Sequence, residues 1–404
     1  MAQPPTLSNE KQPSRLAKLP RNVWVLTLVS FFTDISSDMV VNLIPLFLTG
    51  VLGQSTAIVG VIEGIAESTA SLMKVFSGGL SDKLRKRKLL AVLGYGLSAI
   101  SKPFLYFASS WGVVLGVRFS DRLGKGIRTA PKEALLAESV AKENRGLAFG
   151  VQRAGDTAGA FLGLLIATFI VWRTETDPGV LSIETFRWVV LASILPGLLA
   201  VLILWIGARD VQIGESKPAP VLSFQGLDKR FITFLAITLL FTLGNSSDSF
   251  IILLGKERGL SILQVMAMLL TFNAVYTVLA GPAGALSDRI GRRKLILFGW
   301  LAYGLIYLGF ALSRTGASVW LLFGLYGIYY AFTEGAGKAL IADLVPSEKR
   351  GTAYGLYAAA VGLSAFPASA IAGVLWARFG AASTFYFGAG LALIAGVLFW
   401  RMVR

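Results

Sequence analysis

The sequence contains no cysteine and no histidine. These absences exclude disulfides, thiolate metal centres, the common zinc motifs and imidazole proton relays. Any proton coupling must therefore use carboxylates, and any metal site must be built from oxygen ligands. The sequence also has no GxxxxGK[ST] phosphate-binding loop, which argues against an ATP-driven process. Since no nucleophile motif is present either, we expect neither an enzyme nor a bound cofactor.

Charged residues are scarce: they make up 15% of the 404 residues, whereas 54% are hydrophobic. Soluble domains carry about 25% charged residues, so this composition predicts an all-α membrane protein. The formal net charge of +15 is concentrated in short loops, which argues against nucleic-acid binding and favours a lipid bilayer as the surroundings. Twelve stretches reach the length of about 20 apolar residues that a membrane span needs. They are residues 22–49, 56–80, 88–109, 112–132, 147–172, 186–207, 230–254, 261–285, 294–313, 317–341, 351–377 and 382–402.

Three segments of the first half recur in the second half at a nearly constant separation. GGLSDKLRKRK at 78–88 matches GALSDRIGRRK at 284–294, and ALLAESVAKENRGLAFG at 134–150 matches ALIADLVPSEKRGTAYG at 339–355. Ser-Ser-Asp also ends both 35–38 and 245–248. This duplication predicts two pseudosymmetric six-helix bundles. The predicted division of the chain is a tail at 1–21, bundles at 22–207 and 230–404, and a linker at 208–229.

The basic residues are concentrated in alternate loops. The loops near residues 83–88, 142–145 and 289–294 are rich in lysine and arginine, whereas those near 50–56 and 109–112 contain none. An excess of lysine and arginine marks the cytoplasmic side of a membrane. We therefore expect a multi-pass protein of the cell inner (plasma) membrane with both termini in the cytoplasm. The polar tail is not expected to be a removable signal peptide, because no apolar core with a cleavage site follows it.

The second basic loop carries a family resemblance. Gly284-x-Leu286-Ser287-Asp288-Arg289-x-Gly291-Arg292-Arg293-Lys294 resembles the cytoplasmic signature loop of the major facilitator superfamily (MFS), and the first copy differs by having Arg85 where the family has glycine. The stretch DRLGKGIRTAP at 121–131 resembles a bacterial and archaeal branch of this superfamily. The resemblance implies the MFS fold of 12 transmembrane helices, with a solute site between the halves. It also implies secondary transport by alternating access.

The same resemblance implies roles for four residues at the cytoplasmic ends of the helices. In similar proteins the aspartate of each signature loop, here Asp82 and Asp288, helps to hold the cytoplasmic ends of the two halves together. Arg128 is the expected partner of Asp82, and Arg292 belongs to the second loop. We expect these four residues to form a conformational gate that does not contact substrate.

Carboxylates at membrane depth are the candidates for ion coupling, because such groups are costly there and face polar cavities. Asp34 and Asp38 share one face of the first helix, and two neighbouring carboxylates can load and release a proton. Asp248 is expected to complete this site from the other half, and the Ser-Ser pairs make a sodium ion the alternative to the proton. Arg122, followed by Gly126, is similar to the helix-4 pattern that is implicated in proton transfer in MFS antiporters. The alternative for the two aspartates is ordinary ion pairing with an arginine.

Other ionisable residues within the spans are candidates for substrate contact. Arg118, Arg122 and Lys125 follow helical spacing and could project into one cavity, whose positive wall would suit an anionic or zwitterionic compound. The alternative is internal neutralisation by neighbouring carboxylates. The fifth span lacks the proline that accompanies glycine in many drug exporters, which argues against a simple multidrug assignment. The predicted substrate-binding residues are Glu63, Glu67, Arg118, Arg122, Arg153, Asp156 and Glu334.

These patterns predict a monomeric secondary transporter that exports a small organic compound in exchange for protons. Two alternatives remain at this point. The first is an exporter of a divalent metal ion or metal chelate, with Asp34, Asp38, Glu63 and Asp248 as hard oxygen ligands. The second is a membrane receptor or sensor that transports nothing.

Overall fold

The computed structural model is helical throughout its regular structure. It describes residues 19–84, 86–177, 179–211, 223–346 and 349–403, without the side chains of Asp82, Lys142, Ala285, Ser287, Asp288, Glu334 and Lys338. Most of the predicted tail and the centre of the predicted linker lie outside the described residues. The described part of the chain contains twelve long helices, one for each predicted span. They are α1 Arg21–Val41, α2 Thr56–Leu84, α3 Arg87–Ser101, α4 Trp111–Glu138, α5 Arg145–Thr174, α6 Ile183–Gly207, α7 Lys229–Gly244, α8 Ile262–Ile290, α9 Arg292–Leu312, α10 Gly316–Leu344, α11 Arg350–Phe379 and α12 Ala381–Met402.

The first helix of each half is interrupted. Helix α1 resumes as Ile44–Leu46 and a π-helical turn Phe47–Val51, and α7 resumes as Ser249–Glu257 after a break at 245–248. The α7 break consists of Asn-Ser-Ser-Asp, whose short polar side chains compete with helical hydrogen bonds. Irregular backbone at membrane depth is tolerated where it lines a cavity. The α7 break therefore marks a place where the helices surround polar space.

Helix α4 differs from the others in composition. Among the described residues, eleven helices are long and apolar enough to cross a membrane, and α4 is not one of them. It carries charged residues at Arg118, Asp121, Arg122, Lys125 and Arg128. Arg118, Asp121, Arg122 and Arg128 are buried. A helix with this many buried charges must face protein and water rather than lipid.

The second signature loop contains a glycine, Gly291, whose backbone has a positive φ angle. Gly291 connects α8 and α9 with φ = +91°, a backbone conformation that side chains with a Cβ rarely adopt. In the first copy the corresponding Arg85 lies outside the described residues. The turn between α8 and α9 therefore depends on glycine at this one position.

Close packing inside the first half relies on small residues. Gly155, Gly159 and Gly163 of α5 lie against Thr27, Phe31 and Ile35 of α1. A Cβ added at Gly163 would come within 2.9 Å of the Ile35 Cα, so no larger residue fits without moving α1. Since lipid provides no hydrophobic drive between helices, such close backbone contact is a main source of helix association.

The two halves are joined mainly by α2 and α11. The Ser68 hydroxyl donates to the Gly362 carbonyl at 2.7 Å, and the Thr56 hydroxyl donates to the Gly373 carbonyl at 3.4 Å. These contacts cover 56–71 of α2, which is the part remote from the basic loops. A continuous hydrophobic core containing residues of both halves surrounds this contact, whereas a second buried cluster near the basic loops consists of first-half residues alone. The halves are thus closed at the end remote from the basic loops.

Candidate functional site

A cavity of about 440 Å³ lies between the halves, next to the α2–α11 contact. Its first-half lining includes Glu63, Glu67 and Arg122, and its second-half lining includes Asp248 and Tyr330. The Glu67 side chain is 44% exposed. The structure therefore brings charged side chains of both halves to one polar cavity.

Two ion pairs connect α2 and α4. Arg118 binds Glu63 at 2.6 Å, and Arg122 binds Glu67 at 3.0 Å. The Arg118 residue is only 1% exposed, so its guanidinium is enclosed by protein. This placement supports the alternative of internal neutralisation for Arg118 and Glu63. Arg122 and Glu67 form the accessible pair at the cavity wall.

Breaking the enclosed pair should destabilise the fold. We expect Arg118→Met to lower the free energy of unfolding by about 3–5 kcal/mol, because it leaves the buried Glu63 carboxylate without its partner. Denaturant titration of the purified protein in detergent measures this loss. The matched control is Arg258→Met, whose exposed pair with Glu257 at 3.3 Å should contribute about 0–1 kcal/mol. Equal losses in both variants would contradict the assignment of a structural role to Arg118.

Asp34 and Asp38 are half-buried on α1. They act electrostatically on one another, and Asp156 of α5 adds a third carboxylate. Asp156 accepts hydrogen bonds of 2.8 and 2.9 Å from Gln152. Lysine side chains of α4 balance this acidic group. The charged side chains that act on Asp34 are Asp38, Lys125, Lys132 and Asp156.

Lys102 is a residue that the sequence analysis missed. Its ammonium group is buried and donates to the hydroxyls of Ser36 and Ser37, at 2.9 Å each. It also acts electrostatically on Asp38. Lys102 is an ionisable residue within the apolar third span, and this is the feature that marked the other charged candidates. The sequence could therefore have indicated it.

In the second half, the α7 break places Asp248 at the cavity. The Asp248 carboxylate accepts hydrogen bonds from the hydroxyls of Tyr326 at 3.1 Å and Tyr330 at 3.2 Å. Both tyrosines lie on α10, one turn apart. Neither tyrosine is among the site residues predicted from the sequence, although the run Tyr326-Gly-Ile-Tyr329-Tyr330 was an available signal.

Some predicted residues lie elsewhere or cannot be placed. Arg153 donates to the Tyr276 hydroxyl at 2.7 Å, which links α5 to α8 across the halves. The side chain of Glu334 lies outside the described residues. The described residues contain no cluster of three or more aspartates and glutamates that could hold a metal ion. The four proposed metal ligands are thus not brought together, since Glu63 is paired with Arg118.

The predicted gate is only partly described. Arg128 donates to the Ser98 hydroxyl at 2.6 Å and lies 4.4 Å above the centre of the Tyr95 ring. Arg292 binds Asp343 and the Ala339 carbonyl, both on α10 of its own half. The side chains of Asp82 and Asp288 lie outside the described residues, so the gate stays a prediction.

Two helical bundles around a polar cavity define the fold class of a membrane transporter. The model of the Major Facilitator Superfamily matches residues 26–252 and 231–404. An uncharacterized MFS-type transporter of Methanocaldococcus jannaschii is 36% identical over 387 residues, covering 94% of each chain. The chain belongs to the Major Facilitator Superfamily, as the signature loops predicted.

More distant relatives have names that mention a compound. A probable 4-methylmuconolactone transporter of Cupriavidus pinatubonensis is 26% identical over 350 residues, covering 83% of this chain and 79% of that one. Multidrug resistance protein 2 of Bacillus subtilis is 31% identical over 172 residues, 42% of this chain and 41% of that one.

Solved structures confirm the fold. A POT family transporter in complex with a thioalcohol-conjugated peptide superposes with a TM-score of 0.79 at 13% identity, over 94% of this chain and 95% of that one. The nucleoside transporter NupG gives 0.73 at 14% identity, over 95% and 99%. At such identities the likeness concerns the fold alone. The all-α MFS fold predicted from the sequence is confirmed.

Proposed function

We propose that this MFS transporter is a proton-coupled exporter of a small organic compound, working by alternating access. In this proposal the bundles 22–207 and 230–404 rock about the central cavity. The protein lies in the inner (plasma) membrane of the cell, and its basic end faces the cytoplasm. The observation that carries the proposal is the cavity itself, which is lined by charged residues of both halves. Names of relatives that mention a small lactone and drug resistance support an organic cargo.

The coupling site in this proposal is the acidic group of the first half. Asp34, Asp38 and Asp156 belong to two adjacent helices and are balanced by lysines of a third. A group of neighbouring carboxylates can take up or release a proton when its charge balance changes. Movement of α4 relative to α1 would change that balance, because Lys125 and Lys132 are on α4. Arg122 belongs to the same wall and pairs with Glu67. Sodium remains the alternative ion.

A flux assay tests the proposal. Purified protein is reconstituted into liposomes, a pH gradient is imposed, and uptake of small carboxylates and zwitterions, beginning with 4-methylmuconolactone, is measured by mass spectrometry. We expect at least one compound to accumulate against its own gradient, with an accumulation that a protonophore abolishes. Accumulation that follows an imposed sodium gradient instead would show that the coupling ion is sodium and not the proton. Uptake no faster than in protein-free liposomes for every compound would contradict the proposal.

A further inference from the structure

The duplicated Ser-Ser-Asp motif has different surroundings in the two halves. In the first half Lys102 provides an ammonium group that binds Ser36 and Ser37 at 2.9 Å each and lies near Asp38. The first copy of the motif is thus already occupied by a cation that belongs to the protein. This arrangement shows which chemical group the motif accommodates.

Among the side chains that the structure describes, no lysine occupies the equivalent place at the second copy, residues 246–248. The matched segments of the two halves place Lys102 opposite residues 307–308, where the chain has Tyr307. The buried Tyr307 hydroxyl lies near Ser246 and acts on Asp248. The phenol in place of an ammonium means that no described side chain supplies a positive charge to this copy of the motif. The second copy therefore offers a carboxylate without the ammonium group that binds the two serines of the first copy.

The charges along the cavity lead to the same conclusion. Of the described carboxylates that line it, Glu63 is matched by Arg118 and Glu67 by Arg122. Asp248 receives hydrogen bonds from two tyrosine hydroxyls, and the charge that acts on it among the described side chains is that of Glu67, which is also negative. A partly buried carboxylate is costly without a cation. Among the described lining residues, Asp248 is the one that a cationic ligand would neutralise.

Aromatic rings surround the adjoining space. A second cavity of about 290 Å³ shares Asn245 and Tyr330 with the central one and is walled by Phe241, Trp300 and Tyr329. Phe241 and Trp300 stack with ring centroids 4.7 Å apart. Aromatic faces accept planar apolar groups and also attract cations. An aromatic ring can therefore lie here while its side-chain ammonium reaches Asp248.

We propose that the transported compound carries an ammonium group that binds Asp248 between Tyr326 and Tyr330, with its aromatic body in the cavity next to Trp300. This inference rests on the proposed transport function and specifies its substrate class. Among the anionic and zwitterionic compounds considered for this transporter, it selects the zwitterions.

Equilibrium binding to the purified full-length protein in nanodiscs tests this proposal without any ion gradient. Three probes with an aromatic ring and a primary ammonium, benzylamine, phenethylamine and tryptamine, are compared by calorimetry with the neutral alcohols of the same shape. We expect at least one amine to bind about tenfold or more tightly than its alcohol, because only the amine neutralises Asp248. If none of the three amines binds more tightly than its alcohol, the proposal is overturned.

Variants locate the site. Asp248→Asn keeps the shape of the side chain but removes its charge, and we expect it to abolish the preference for the amine. Tyr330→Phe should weaken amine binding without abolishing the preference. Glu257→Gln, at the exposed end of the same helix, is the matched control and should bind as the unmodified protein does. An amine preference that survives Asp248→Asn overturns the proposal.

Two further results keep the test decisive. If Asp248→Asn fails to fold, as judged by its thermal unfolding, competition in the unmodified protein replaces it. Sodium chloride should then displace the amine no better than choline chloride. Specific displacement by sodium would identify a metal-ion site and overturn the proposal. Failure of the transport proposal is distinguishable, since it appears as absent flux while the amine preference persists.

Discussion

Asp38→Asn should abolish pH-gradient-driven accumulation of the transported compound. Asparagine has the same shape as aspartate but cannot take up and release a proton, so the acidic group of Asp34, Asp38 and Asp156 loses one of its members. Removal of a group that transfers protons typically slows such a process by about a hundredfold or more. The initial rate of accumulation in proteoliposomes with an acidic exterior or interior measures this effect.

The loss must be separated from a folding defect. Asp38→Asn should be inserted and unfold at nearly the same temperature as the unmodified protein, and its counterflow of compound without a pH gradient should persist. Asp210→Asn is the matched control, because Asp210 lies outside the spans and accepts a hydrogen bond from the backbone of Lys88 at 2.8 Å. A rate in Asp38→Asn equal to that of the unmodified protein would remove Asp38 from the coupling site.

Gly60→Val should prevent the end remote from the basic loops from closing. A Cβ on Gly60 would come within 3.1 Å of the Ser369 carbonyl carbon and closer still to its oxygen, both of which belong to the backbone of α11. Backbone atoms cannot rotate away, so α2 and α11 must separate. Since these helices join the halves, we expect loss of the closed form and of transport with it.

The absence of cysteine makes this effect measurable. A single Thr56→Cys substitution places a thiol at the start of α2, where the Thr56 hydroxyl contacts the Gly373 carbonyl. We expect Gly60→Val to raise the labelling rate of this thiol by an impermeant maleimide about tenfold, as a shift in conformational population would. Gly116→Val is the control, because a Cβ there meets no atom within 4 Å. Unchanged labelling in Gly60→Val would show that the α2–α11 contact does not set the conformation.

Several features of the fold followed from the sequence because they depend on local composition or on repetition. A bilayer requires about 20 apolar residues in each span, and the spans were therefore visible as runs. The repeated loops were visible because both copies contain similar residues in the same order. Gly155, Gly159 and Gly163 recur every four residues, a spacing that permits close helix approach, and α1 lies against them.

The site was harder to predict from spacing. Helical spacing places Arg118 and Arg122 on the same face of α4, but it does not show which helix packs against that face. In the structure α2 lies there, and its Glu63 binds the enclosed Arg118 while Arg122 remains at the cavity wall. Whether a buried charge serves substrate or structure depends on its partner, and the partner comes from a distant part of the chain.

The sequence by itself determined the class of protein, the number of spans and the twofold repetition, because lipid imposes a length and a composition on every helix that crosses it. Only the tertiary structure decided which charges are matched. It placed Lys102 on the first Ser-Ser-Asp motif and tyrosines around Asp248, so that two nearly identical sequences differ in charge. The reason is physical: the energy of a charge in a membrane protein depends on what stands within a few ångströms of it, and helices distant in sequence supply those neighbours.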